Sequence, residues 1–267
     1  MTASHSTFPI DIGGVTLRAR RIDAGPAAAA HPHLVFLHEA LGSIAQWKSF
    51  PDELCRAVHC HGLVYERQGH GHSDALTAVR TMDFYTDEAG VVLPAVLAAC
   101  GISRHVIIGH SDGATIALMY ASLFPQRPEA VVSIAAHVMI EERTLDGIRA
   151  ARTAWHSTDL RTKLRRYHGA NTDALFAAWA DTWLRPEYRA WNMYAQLERI
   201  ERPLLVLQGE MDAFGSSAQM EAIRARARGI CRVEELPGCG HVPMVEARAT
   251  TIALCGSFLS DHAGVHA

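Results

Sequence analysis

Residues 109–113 read Gly-His-Ser-Asp-Gly, directly after the apolar run 106–108 and directly before Ala114-Thr115-Ile116-Ala117-Leu118. A serine set between glycines at a sharp strand-to-helix turn has the surroundings of an acyl-accepting nucleophile. The turn needs glycine where side chains would collide. It also puts Ser111 at a helix N-terminus, where unpaired N–H groups and the helix dipole favour negative charge. A serine hydroxyl is a poor nucleophile until a base takes its proton. Downstream, the apolar run 204–207 ends in Gln208-Gly209-Glu210-Met211-Asp212, and the run 233–236 leads to Pro237-Gly238-Cys239-Gly240-His241. Both stretches read as post-strand loops on the sheet edge that carries Ser111. His241 is the expected general base, and Asp212 and Glu210 compete to be the acid that orients it. Cys239 has neither a turn nor an activating base and reads as a packed thiol.

The elements needed to position these side chains follow from hydrophobic patterning. Runs rich in Val, Ile and Leu at 34–37, 63–65, 106–108, 131–135, 204–207 and, more weakly, 233–236 read as strands buried on both faces. Helical spacing separates most of them, as at 83–100 and 114–124, and this alternation predicts a parallel α/β sheet. Residues 8–11 and 15–21 flank Gly13-Gly14 and read as an antiparallel hairpin, and 27–30 as a short loop. From 139 to 199 no strand is expected. That stretch is helical and carries Trp155, Tyr167, Phe176, Trp179, Trp183, Tyr188, Trp191 and Tyr194, most of them read as the insertion's own small core. The expectation is one α/β core from 1–138 and 200–267, with an inserted helical lid at 139–199 over the strands' C-terminal ends.

Composition narrows the function classes. The chain has 267 residues, 49% hydrophobic and 20% charged, and a formal net charge of −3. That is enough chain for a full core, and the charge gives no sign of a nucleic-acid or anionic-membrane partner. No apolar run approaches bilayer length, and 1–11 lacks a basic segment followed by an apolar one, so no secretory signal is expected. The six cysteines, at 55, 60, 100, 231, 239 and 255, form no C-x-x-C pair and suit a reduced, cytoplasmic protein. His59-Cys60-His61 and His70-x-His72 have no second cluster at ligand spacing, so no metal is expected. Arg161, Lys163, Arg165 and Arg166 read as a solvated helix face, with attraction of an anionic substrate or a coenzyme A phosphate as the functional alternative.

Over 15–259 the chain resembles the α/β-hydrolase superfamily, in particular a bacterial group of carboxylesterases, enol-lactonases and thioesterases. The resemblance implies a mostly parallel eight-stranded sheet flanked by helices, with a helical lid inserted after the sixth strand. The Gly209-x-x-Asp212 spacing is similar to the family's, which favours Asp212 over Glu210. His38-Glu39-Ala40-Leu41-Gly42-Ser43 resembles the H-G-x-x-G-S loop, which implies that the backbone amides of Ala40 and Asp112 form an oxyanion hole. Each such donor is typically worth ~3–4 kcal/mol to a tetrahedral intermediate. Tyr65-Glu66-Arg67-Gln68-Gly69-His70-Gly71-His72-Ser73 resembles the family's D-x-R-G-x-G-x-S loop, with Glu66 and Gln68 as structural departures. Glu39 stands where the family has glycine. A free carboxylate there would oppose an oxyanion, so Glu39 is expected to turn away or to pair with a cation such as Arg67. His38, Glu39, His137 and Trp183 are candidate pocket residues; for His168 the sequence does not decide.

The resulting expectation is a cofactor-free serine hydrolase acting on a small or medium acyl ester or thioester. A carbon–carbon bond hydrolase or enol-lactonase is the alternative, and a ligand-binding receptor is the non-enzyme alternative. A cofactor-independent oxygenase ranks below these, and the serine at the elbow disfavours a haloalkane dehalogenase, whose nucleophile is a carboxylate.

Overall fold

The computed structural model describes residues 7–81 and 83–265. The strands are β1 (Thr7–Ile12), β2 (Val15–Ile22), β3 (His33–Leu37), β4 (Gly62–Glu66), β5 (His105–His110), β6 (Val131–Ile134), β7 (Leu204–Gly209) and β8 (Cys231–Leu236). The helices are α1 (Phe50–Ala57), α2 (Phe84–Asp87), α3 (Leu93–Ala99), α4 (Asp112–Leu123), α5 (Glu142–Ser157), α6 (Leu160–His168), α7 (Thr172–Trp183), α8 (Tyr194–Leu197), α9 (Ser217–Arg226), α10 (Pro243–Glu246) and α11 (Arg248–His262). The eight strands form one sheet in the order β1-β2-β4-β3-β5-β6-β7-β8. β1 and β2 pair antiparallel, as do β2 and β4, and the remaining pairs are parallel.

Alternation along each parallel strand feeds two cores. Val35, Leu37, Ile107, Leu204 and Val206 pack into one hydrophobic cluster, while Leu34, Phe36, Ile108, Leu205 and Leu207 pack into another with Phe50 of α1 and Phe258 of α11. Successive side chains point to opposite faces, so a strand covered on both sides must be apolar throughout. The chain steps from β3 outward to β4 and then returns to the other side of β3 as β5. At such a reversal the loops leaving the carboxyl ends diverge and open a crevice. The loop after β3 carries residues 38–43, and the turn after β5 carries Ser111.

Two local expectations need correction. The segment 83–100 is one helical run, but a π turn at Glu88–Val92 separates α2 from α3. Pro94 lies just beyond it. Proline offers no N–H and displaces the carbonyl four residues back, and the wider turn accommodates that loss. Residues 27–30, expected as a loop, belong to a 3-10 turn at Pro26–Ala30.

Between β6 and β7 the chain runs through α5, α6, α7 and α8. A bridge between Met139 and Asn192, with Met193 N–H donating to the Val138 carbonyl at 2.9 Å, pins the two ends of this segment together. This strand-type pairing falls in a stretch read as strand-free, because two residues give no periodicity to detect. Trp155 stacks on Phe176 at 4.0 Å, and Trp183, Tyr188 and Trp191 pack against one another. Among the described residues no helix is long and apolar enough to cross a membrane.

Candidate active site

Ser111 follows β5 with φ 53 and ψ −119, a conformation that L residues adopt rarely and at a cost of about 1–3 kcal/mol. Its amide donates to the Ile134 carbonyl at 2.9 Å, tying the elbow to β6. The flanking glycines answer to space. A Cβ on Gly109 would strike the backbone of Gly113 and Ala114, and one on Gly113 would strike the Leu37 carbonyl. The turn is therefore tight enough to hold the serine only with glycine at both positions.

Ser111 Oγ lies 3.0 Å from His241 Nε2, and His241 Nδ1 lies 2.8 Å from Asp212 Oδ2 and 2.9 Å from Oδ1. A carboxylate only accepts, so Nδ1 carries the proton and Nε2 is left with a lone pair toward the serine. Asp212 also accepts from the Phe214 amide at 2.8 Å and from Gln208 Nε2 at 3.3 Å. Burial raises its pKa. The hydrogen bond and charge of His241, with the Phe214 amide, more than offset this and hold the carboxyl below its usual range. Glu210 faces elsewhere: its Oε2 accepts from the Gly238 amide at 2.9 Å and secures the turn that leads to His241. Cys239 is buried with its thiol toward the Gly240 carbonyl, and burial pushes its pKa up.

The loop after β3 is held by its carbonyls. Arg67 donates to the carbonyls of His38 at 2.5 Å and Glu39 at 2.9 Å, and His38 Nδ1 donates to the Glu39 carbonyl at 2.7 Å. His70 Nε2 sits 3.0 Å from the Ala40 carbonyl and His168 Nε2 3.0 Å from that of Leu41. In a planar trans peptide the next N–H points opposite its carbonyl. Anchoring the Glu39 carbonyl on Arg67 therefore turns the Ala40 N–H away from that scaffold. Ala40 and Asp112 both line the cavity at Ser111. Asp112 is fixed through its carboxylate by Tyr85 Oη at 2.8 Å and Arg80 at 3.2 Å.

The partner of Glu39 differs from the one expected. Arg67 takes its backbone carbonyl, whereas the carboxylate pairs with His110, with Oε2 to Nδ1 at 2.6 Å. His110 Nε2 is 2.8 Å from the carbonyl oxygen of His241. That oxygen only accepts, so Nε2 bears a proton, and an imidazolium facing a carboxylate satisfies both nitrogens. Burial disfavours the charged ring. The Glu39 charge and hydrogen bond, helped by the His241 carbonyl, outweigh it and raise the His110 pKa. For Glu39, burial pushes the carboxyl up and His110 pulls it below its usual range. His110 belongs to the glycine–serine motif but was not singled out in the sequence. Its partner lies 71 residues away, and only its adjacency to the unusual Glu39 would have signalled the pair.

A cavity of about 180 Å³ opens over Ser111. Glu39, His110 and His241 supply polar wall, while Ile148 of α5, Trp179 and Trp183 of α7, and Phe214 supply apolar wall. His137 also lines it, with Nε2 3.2 Å from the Phe214 carbonyl and burial pushing its pKa down to about 4. It is therefore a neutral ring beside His241. His38 does not line this cavity: its Nε2 accepts from the Arg67 amide at 3.1 Å, and it is a structural anchor. Of the rejected metal pairs, His70 is a buried anchor and His61 Nδ1 accepts from the Ala24 amide. Among the described residues no three His, Cys, Asp or Glu side chains are grouped to hold a metal ion.

The chain is 26% identical over 257 residues to a 2-(acetamidomethylene)succinate hydrolase of Mesorhizobium japonicum, covering 87% of each chain. Its fold is similar to that of an enol-lactonase from Burkholderia xenovorans, with TM-score 0.75 and 20% identity over 95% of this chain and 100% of that one. A lipase-like structure from Acinetobacter baumannii, described as a putative lipase, superimposes with TM-score 0.77 at 17% identity, covering 96% and 91%. The family model for the alpha/beta hydrolase fold matches residues 32–198, more than half of the chain. With this match and the eight-stranded sheet, the chain belongs to the α/β-hydrolase fold family.

Proposed function

We propose that the protein is a serine hydrolase that cleaves a small or medium carboxylic ester or thioester through an acyl-enzyme on Ser111. The observation that carries this reading is the chain of contacts from Ser111 Oγ to His241 Nε2 and from His241 Nδ1 to Asp212, opening into an apolar cavity. Ser111 Oγ attacks the substrate carbonyl as its proton passes to His241. The developing oxyanion is met by the Ala40 and Asp112 amides. Collapse of the intermediate expels the alcohol or thiol, which takes the proton from His241. Water then gives a proton to His241 and attacks the acyl group, releasing the acid and restoring Ser111. The pairing of Glu39 with His110 supports this chemistry, because the carboxylate beside the oxyanion position is locally neutralised. Helices α5 and α7, which wall the cavity, act as the lid that shields the acyl group from bulk water.

A second reading is hydrolysis of an enol lactone or of a bond flanked by carbonyl and carboxylate groups. It is favoured by the relative named for 2-(acetamidomethylene)succinate. It uses the same serine and amides and differs in the group that leaves. The deciding experiment labels wild type and Ser111→Ala with a fluorophosphonate and follows p-nitrophenyl butyrate, an enol lactone and an acyl thioester in parallel. The expected result is labelling and turnover in wild type, with both lost in Ser111→Ala and kcat lowered by roughly 10⁴-fold or more. A folded wild type that takes no label overturns the serine mechanism.

A further inference from the structure

Two more cavities lie next to the one over Ser111, linked to it through shared lining residues. The first, about 250 Å³, shares Glu39, His110 and Val242 with it as a common wall. The second, about 440 Å³, shares Ser43, Lys48 and Tyr167 with the first and reaches Arg18, Arg20 and Arg166. The Glu39–His110 pair thus forms a wall common to the Ser111 cavity and its neighbour, and the cations line the cavity beyond.

The cations there outnumber the acids. Arg20 is bonded through two nitrogens to Asp52, at 2.8 and 2.9 Å. The acid lining the third cavity, Glu66, has its oxygens on the amides of Ile44 at 3.1 Å and His72 at 2.8 Å. Among the described residues neither Arg18, Lys48 nor Arg166 is ion-paired with a carboxylate. Lys48 instead donates to Tyr167 Oη at 3.3 Å. The basic residues grouped with Arg166 in the sequence part company here: Arg161 pairs with Asp173 and Lys163 with Asp159. Lys48 also has φ 55 and ψ −136, close to the strained backbone of Ser111. A residue other than glycine in that region needs surroundings that hold it there. In a chain of net charge −3, Arg18, Lys48 and Arg166 around one cavity, against the single lining carboxylate Glu66, make a local positive field suited to a multiply charged anion.

We infer that this third cavity binds the phosphate-bearing leaving arm of the substrate whose carbonyl is attacked by Ser111. The inference rests on the proposed acyl chemistry and narrows it to thioesters or esters with an anionic leaving group. The acyl part occupies the Ser111 cavity, the arm runs past Glu39 and His110 through the middle cavity, and its phosphates meet Arg18, Lys48 and Arg166.

The test compares butyryl-coenzyme A with S-butyryl-N-acetylcysteamine, which presents the same acyl group on an uncharged arm. Wild type is expected to favour the coenzyme A ester by at least about tenfold in kcat/KM, and added salt should erode that preference. The Lys48→Ala/Arg166→Ala variant should bring the ratio near one, while Lys163→Ala, on the same helix but paired, keeps it. A wild-type ratio near one at low salt overturns the inference. Calorimetry on Ser111→Ala with adenosine 3′,5′-bisphosphate tests the site without turnover. Saturable binding that the double variant loses supports the site even if Ser111 takes no label, whereas no binding overturns it even if Ser111 labels. Equal binding of inorganic phosphate, with no preference for the coenzyme A ester, would assign the cavity to a free anion and overturn it as well.

Discussion

Two carboxylate–imidazole pairs stand side by side in this molecule, Asp212 with His241 and Glu39 with His110, with the two imidazole centroids 5.1 Å apart. The carboxylate–nitrogen distances are alike, at 2.8 and 2.6 Å. What differs is the other nitrogen. His241 Nε2 faces the Ser111 hydroxyl, which can give or take a proton, and His110 Nε2 faces the His241 carbonyl, which can only accept one. The first pair is left with a basic lone pair. The second is held as a doubly protonated ring that braces the main chain of the first. A carboxylate beside a histidine therefore does not define a base; the partner of the far nitrogen does.

The largest effect that would break this comparison is kinetic. Asp212→Asn should lower kcat by roughly 10⁴-fold, because an amide no longer fixes the tautomer that leaves Nε2 free. Glu39→Gln should stay within about tenfold of wild type, since glutamine can still hydrogen-bond His110. Steady-state rates on one ester decide it, and equal losses in the two variants would mean that the second pair shares in the chemistry.

A smaller effect sharpens the comparison through pH. The depressed Glu39 carboxyl contributes stability that is present above its ordinary value of 4.5 and is lost as pH falls through its lower folded value. The raised His110 contributes stability that is full below 6.5 and is lost as pH rises through its higher folded value. Denaturant unfolding of wild type and Glu39→Gln should therefore differ most between about pH 4.5 and 6.5, by about 1–2 kcal/mol, and less in alkali. A gap that widens above pH 8 would contradict the ion pair. The smallest effect belongs to Glu210→Gln, which weakens one hydrogen bond to Gly238 and should cost at most about 1 kcal/mol, measured by thermal unfolding, with kcat within twofold.

How much of this was legible in the sequence depends on the range of each interaction. The elbow was legible because its constraints are local. The glycines at 109 and 113 are required by atoms within the turn and by the adjacent strand, and the apolar strand before them and the helix after them are continuous in the chain. The strands were legible because burial on both faces leaves unbroken apolar runs, as at 34–37 and 204–207. The π turn before Pro94 escaped because helical spacing does not register one extra residue.

The sequence by itself determined the sheet, the elbow and the residue types that meet there, since these follow from patterns of neighbouring residues and the steric demands of one turn. Tertiary structure alone decided that Glu39 turns to His110 rather than Arg67, and that Glu210 secures a loop while Asp212 reaches His241. It also decided that His38, His70 and His168 serve as anchors for the loop after β3. The reason is distance along the chain. Those choices depend on which loops the reversal at β3 brings side by side, and on which lone pair or proton each neighbour presents, and neither is written in the spacing of residues.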